Sequence, residues 1–227
     1  MKQNAFTMAE ILITLGIIGV VAVLTMPTMI QNTQKKTYTT QLRKVNSEFQ
    51  QATLNYINSK NALNLREAGV VNKSTLNDMI KANMKIAKDC SSASDCFAPS
   101  YKNINGEAAN PDFSDYSAYL LPSGAAISGD FDNTSGVLTI DVNGKKGPNT
   151  IGRDLFAAGI DINGTLSNAV SSDTDSSHSS HSSHSSHSAS TPLEKCKSAS
   201  GYRMAHGVPQ AAHCFNVIVD DDWEMKY

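Results

Sequence analysis

The feature that most constrains this chain is an uncharged stretch close to its start. No charged residue occurs between Glu10 and Lys35, and residues 11–26 are almost entirely aliphatic. A helix rises about 1.5 Å per residue, so about 20 such residues cross the ~30 Å hydrocarbon core of a bilayer. The stretch therefore predicts a membrane-spanning helix, and Lys2 in front of it is consistent with a cytoplasmic N-terminus.

A carboxylate, Glu10, lies at the apolar entrance of this segment. Only Lys2 precedes the apolar run and no A-x-A-like site follows it, which distinguishes it from an ordinary signal peptide. A lone acid in hydrocarbon costs on the order of several kcal/mol unless something neutralises it. Glu10 therefore needs a specific reason to be there.

The residues around this carboxylate carry a family resemblance. The sequence AFTMAE, from Ala5 to Glu10, followed by an aliphatic run, resembles the N-terminus of type IV pilins and of type II secretion pseudopilins. The likeness covers residues 2–60. In that family a prepilin peptidase cuts before the Phe and methylates the new amine, which implies a cut between Ala5 and Phe6.

Further positions fit the same resemblance, with one departure. Gly19 and Pro27 fall where pilins carry a Gly and a helix-breaking Pro, and the resemblance implies that they loosen the helix during assembly. The family usually has Gly before the cut, so Ala5 departs from the pattern. The resemblance also implies that Glu10 pairs with the Phe6 amine of a neighbouring subunit, which neutralises its charge and fixes the register.

The implied function is that of a structural filament subunit rather than an enzyme. Its partners would be other copies, other pilin-like subunits, the prepilin peptidase, the inner-membrane assembly platform and the lipid bilayer. The resemblance does not decide whether the filament serves secretion, a pilus or DNA uptake. The alternative is a membrane-anchored extracytoplasmic protein that binds a metal or ligand and does not polymerise.

The resemblance and the residue pattern together predict an α+β, pilin-like fold. Residues 1–5 form the leader, residues 6–58 one helix, and residues 59–227 an extracytoplasmic head. Beyond Pro27 an apolar stripe recurs at intervals of four and three, which predicts an amphipathic helix packed against the head in preference to a coiled-coil seam. Its members are Tyr38, Leu42, Val45, Phe49, Ala52 and Tyr56.

Within the head, the sequence pattern predicts one further helix and a small antiparallel sheet. The helix is expected from about Thr75 to Lys88, with Ser74 as its N-cap. Residues 97–119 are expected to form a loop. Short β-prone runs follow, and Asn143-Gly144 and Asn163-Gly164 favour tight hairpin turns. The C-terminal run CFNVIVDDDWEMKY predicts a strand, then a turn at the three aspartates and a short terminal strand.

The four cysteines are predicted to form disulfides. An even number of cysteines outside the cytoplasm favours disulfides over a metal or catalytic site. Three pairings are possible, and we prefer the two that join near neighbours in sequence, although the sequence alone does not decide. These are Cys90–Cys96 and Cys196–Cys214.

A Gly-Pro-Asn segment between two predicted strands offers oxygen ligands. Its candidates for a calcium site, which the resemblance to major pseudopilins also suggests, are Asp141, Asn143, Asn149 and Asp154. The spacing does not fit an EF-hand, and two adjacent lysines would weaken such a site. We favour a loop whose Asp and Asn side chains bond their own backbone.

A Ser/His repeat at residues 171–191 has no apolar content and predicts a flexible insertion. Its imidazoles recur every third residue and would share one edge of an extended chain, where a transition metal could bind. A tolerated insertion is the simpler interpretation. The four are His178, His181, His184 and His187.

Charge and motifs exclude several other classes of function. The formal net charge is −2, and nothing in the head indicates nucleic-acid binding. Residues 31–90 carry ten Lys/Arg against four Asp/Glu, whereas residues 91–227 carry eight against sixteen, so stacked subunits could attract one another. Two ordinary solvated surfaces explain this equally well. No recognisable catalytic motif occurs.

Overall fold

The computed structural model describes residues 7–90, 92–109, 111, 113, 116–167, 191–197 and 212–227. The chain divides into two compact units, Met1–Thr37 and Tyr38–Tyr227. The predicted α+β class is confirmed, since a long N-terminal helix is combined with an antiparallel sheet.

Helix α1 spans Met8–Ser59 and continues through Pro27. Its first part, in unit 1, exposes every large apolar side chain from Met8 to Ile30. By length and composition, α1 is the one helix among the described residues that could cross a membrane. Threonine hydroxyls along this part donate to backbone carbonyls one turn back, as Thr25 does to Val21 at 2.9 Å. Such bonds satisfy hydroxyl donors in an apolar environment.

The second part of α1 carries the predicted stripe. Leu42, Val45, Phe49 and Ala52 are buried in the main core of unit 2, and Tyr38 and Tyr56 pack against its edge. Burial of these side chains supplies much of the free energy that holds the helix to the sheet. The predicted packing of α1 on the head is confirmed for this stripe.

Helix α2 spans Lys73–Asn83 and packs on the sheet. Its N-cap is Asn72 rather than the predicted Ser74, because the Asn72 side chain accepts from the Thr75 N–H at 3.0 Å. The helix also ends before Lys88, since residues Lys88–Cys90 pair as a strand with Ala118–Leu120. Strand pairing overrides the helical periodicity there.

The six-stranded antiparallel sheet has the order β1-β4-β5-β6-β7-β8, and a second sheet pairs β2 with β3. Residues 97–119, predicted as loop, supply three short strands. A 3-10 turn at Ala93–Asp95 precedes them. The strands are β1 Lys88–Cys90, β2 Tyr101–Lys102, β3 Ala108–Ala109, β4 Ala118–Leu120, β5 Ala126–Asp132, β6 Ser135–Asp141, β7 Leu155–Ile160 and β8 Leu166–Ser167.

The tight hairpin of the sheet lies at Asn133, where Asp132 faces Ser135 across β5 and β6. The prediction of a tight turn at Asn143-Gly144 was wrong. That dipeptide lies near the start of a long connection, residues 142–154, that joins β6 to β7 and is here named the carboxylate loop. Asn163-Gly164 does lie in the turn between β7 and β8.

The predicted C-terminal strands were wrong. Residues Ala212–Asp220 form helix α4, which packs on β7 and on α3, Pro192–Lys197. Cys214, Phe215 and Ile218 are buried together, a spacing that suits one face of a helix. The aspartates 220–222 lead into the expected turn, after which Trp223 packs edge-on against Phe215 at 6.0 Å.

Candidate functional site

The N-terminal site residues lie at the beginning of α1. The Glu10 carboxylate accepts through Oε2 from the Thr7 backbone N–H at 2.8 Å and from the Thr7 hydroxyl at 2.9 Å. The Glu10 N–H returns a bond to the Thr7 hydroxyl at 3.3 Å. This reciprocal capping box satisfies donors that the helix start would otherwise leave unpaired.

Glu10 thus has a local partner that the sequence reasoning missed, although the T-x-x-E spacing of Thr7 and Glu10 was visible. Ala5 and Phe6 lie outside the described residues. Gly19 has open space where a side chain would begin, and Pro27 lies inside the continuous helix.

The carboxylate loop brings the four predicted oxygen-bearing residues together. Asp141 ends β6 and Asp154 precedes β7, and Asp141 pairs with Leu155, so the two aspartates lie at the same end of neighbouring strands. Both are fully buried. The nearby Asp154 charge adds to the rise that burial causes in the pKa of Asp141.

Each carboxylate is held by hydrogen bonds. Asp141 accepts from the Tyr101 hydroxyl at 2.6 Å through Oδ2 and from the Asn143 N–H at 3.1 Å through Oδ1. Asp154 accepts from the Asn149 N–H at 2.7 Å and from the Thr150 N–H. The favoured prediction, Asp and Asn side chains that bond the loop's own backbone, is confirmed for both aspartates.

Burial dominates the electrostatics of this loop. Desolvation raises the pKa of Asp141 to about 8, against the opposing effect of its bond from Tyr101. It also raises the pKa of Asp154, although the N–H groups of Thr150 and Asn149 work in the other direction. None of the ion pairs among the described residues reaches either aspartate.

Two amide oxygens in the same loop are buried without a hydrogen-bond partner. They are Oδ1 of Asn143 and Oδ1 of Asn149. Together with the two carboxylates they form an oxygen-only donor set, which suits a hard cation such as calcium. Orphaned buried acceptors are rare and call for an explanation, and a bound cation would supply one for the two amide oxygens.

Tyr38 ties the loop to α1, and no sequence signal predicted this contact. Asn143 Nδ2 donates to the Tyr38 hydroxyl at 3.3 Å and to the Gly147 carbonyl at 3.0 Å. Burial, together with the nearby Asp154 charge, raises the pKa of Tyr38. The loop therefore joins the amphipathic part of α1 to the sheet.

Both disulfides form with the preferred pairing, Cys90–Cys96 and Cys196–Cys214. Each lies against the carboxylate loop. A Cβ at Gly144 would lie 3.6 Å from the Cys96 carbonyl oxygen, and one at Gly152 would lie 2.6 Å from Cys214 Sγ. The cross-links therefore brace the two ends of the loop.

The remaining metal candidates, His178, His181, His184 and His187, lie outside the described residues. Within the part of the chain that is described, no three His, Cys, Asp or Glu side chains group as metal ligands. The chain matches no protein-family model, no curated protein and no solved structure.

Proposed function

We propose that this chain is a structural subunit of a type IV pilus-like or type II secretion pseudopilus filament. It is cut before Phe6 by a prepilin peptidase and assembled through α1. The observation that carries the proposal is the division of α1 into an exposed apolar part and a part whose stripe packs on a sheet. An exposed apolar helix of this length requires either lipid or other helices around it.

The proposed topology has the N-terminus in the cytoplasm and unit 2 outside it. The two disulfides support this location, because such bonds persist in oxidising compartments and are rare in the cytosol. Outside the cell membrane the subunit would join copies of itself and other pilin-like subunits through the inner-membrane assembly platform. Its role is architectural, and the buried loop carboxylates stabilise the head rather than react.

Mass analysis of the full-length membrane protein tests this proposal. In cells that contain a prepilin peptidase, we expect a mature chain that begins at methylated Phe6, and a retained precursor when the peptidase gene is deleted. Replacement of Ala5 by Gly, the residue usual in the family, should preserve or increase the cut fraction. A mature protein that retains Met1 and its leader in peptidase-positive cells would contradict the proposal.

A second function, cation binding by a membrane-anchored head, is favoured by the donor set in the carboxylate loop. Two buried carboxylates and two orphaned amide oxygens would gain a counter-charge from calcium. Calcium at about 1 mM, a concentration typical for extracellular sites, should then raise the urea midpoint of the full chain in nonionic detergent. Asp154→Asn should remove that increase, and an equal increase in the variant would exclude the site.

A further inference from the structure

Two exposed lysines occupy the tip of the carboxylate loop. Lys145 and Lys146 are both exposed, as are Gly147 and Pro148 after them. None of the ion pairs that the described residues form engages either lysine. The acidic groups of the loop are fully buried and hydrogen-bonded within the fold, so the tip presents positive charge to its surroundings.

The tip is fixed to the first residue of unit 2. Tyr38 bonds with Asn143 and donates to the Gly147 carbonyl at 3.5 Å. Along the chain, Tyr38 follows Ile30, the end of the exposed apolar run, by eight residues. The loop tip is therefore held to a residue that follows the membrane segment closely in sequence.

The positive charges that follow the membrane-spanning segment also need an explanation. Lys and Arg beside a membrane span usually lie in the cytoplasm. Here Lys35 and Lys36 follow the span on the side where the disulfides place unit 2. Anionic phospholipid head groups attract such basic residues at either surface of a bilayer.

We propose that Lys145 and Lys146 bind the phosphate groups of anionic phospholipids and hold the unassembled subunit against the membrane surface. Lysine suits this role because its ammonium is a compact charge with three donors on a flexible stem. Salt weakens the contact because the lysines are exposed. The inference rests on the membrane-spanning part of the proposed function and does not require filament assembly.

Amine labelling of the full-length protein in nanodiscs tests the inference. With one-third phosphatidylglycerol in phosphatidylcholine, we expect acetylation of Lys145 and Lys146 to slow about fivefold relative to phosphatidylcholine alone, the factor typical of one lysine at an anionic surface. High salt should abolish the difference. Two exposed lysines serve as internal controls and should label equally in both lipids: Lys85, between α2 and β1, and Lys88, the first residue of β1.

Several results would overturn the lipid contact. Lys145 and Lys146 that label equally in both lipids, at the rate of the control lysines, would do so. Labelling that is slower than the controls but equal in both lipids would mean that the protein itself protects these lysines. In the wild type, the anionic lipid should also slow hydrogen exchange of the backbone amides in residues 142–154. The double variant Lys145→Gln, Lys146→Gln should lose this slowing, while Lys85→Gln, Lys88→Gln retains it. Protease protection of α1 checks membrane insertion separately, so failure of the anchor is distinguished from failure of the lysine contact.

Discussion

The hydroxyl of Tyr101 donates a 2.6 Å hydrogen bond to Oδ2 of Asp141, although the two residues lie 40 positions apart in the chain. The same hydroxyl accepts from the Ala98 N–H at 3.0 Å. This pair joins β2 to the end of β6 beneath the carboxylate loop. A fully buried carboxylic acid in this arrangement makes the stability of the head sensitive to pH.

We expect the free energy of unfolding to fall as the pH rises from about 4 to about 8. Burial raises the pKa of Asp141 from 3.8 to about 8, so between these values the folded state keeps a proton that the unfolded state has lost. The stabilisation from this group is complete below the lower value and is lost towards the upper one. Urea unfolding in EDTA and nonionic detergent, followed by Trp223 fluorescence, measures the change.

Asp141→Asn is the matched control for the pH dependence, because it keeps an oxygen for Tyr101 and removes the titrating group. Its unfolding free energy should vary less with pH over the same range, and Asp154, whose pKa burial also raises, accounts for the dependence that remains. A wild-type stability that rises from pH 5 to pH 8 would contradict the assigned protonation of Asp141.

Three glycines separate backbone strain from steric clash around the disulfide. Gly152 has φ +83° and would place a Cβ 2.6 Å from Cys214 Sγ, Gly124 has φ +87° with open space, and Gly147 has open space alone. Alanine should therefore destabilise in the order Gly152, Gly124, Gly147. Strain alone costs about 1–3 kcal/mol, and Gly152→Ala should exceed Gly124→Ala in urea unfolding. Equal losses at Gly152 and Gly147 would refute the close packing on the disulfide.

The stripe on α1 should contribute strongly to the stability of unit 2. Phe49 is fully buried, whereas Leu54 on the same helix is 57% exposed. Phe49→Ala should cost about 3–5 kcal/mol through lost burial and a cavity, and Leu54→Ala should cost much less. Similar urea midpoints for the two variants would show that α1 does not pack on the sheet as described.

The sequence predicted the elements whose signals are local. The uncharged run before Lys35 and the four-and-three spacing from Leu42 to Phe49 are helical patterns that need no knowledge of distant residues. Burial of the stripe followed from the same spacing, because an apolar face of that width must be covered. These features account for α1.

Elements decided by long-range packing were not predicted. The β-branched run Val217 to Val219 favours a strand on local propensity, yet it forms part of α4, where Cys214 and Phe215 pack with the core. The contacts of Asp141 with Tyr101 and of Asn143 with Tyr38 span 40 and 105 positions. No local pattern encodes such contacts, so the carboxylate loop was found only as a set of candidate oxygens.

The most direct test of the filament proposal is the incorporation of Glu10→Ala into filaments, measured by shearing, cross-linking and immunodetection in the native host. Glu48→Ala is the matched control, since it removes a carboxylate from the same helix in unit 2, where Glu48 pairs with Lys44 at 3.8 Å. We predict that Glu10→Ala inserts into the membrane and is cut before Phe6 but is absent from filaments, whereas Glu48→Ala is incorporated. Normal incorporation of Glu10→Ala would contradict the account.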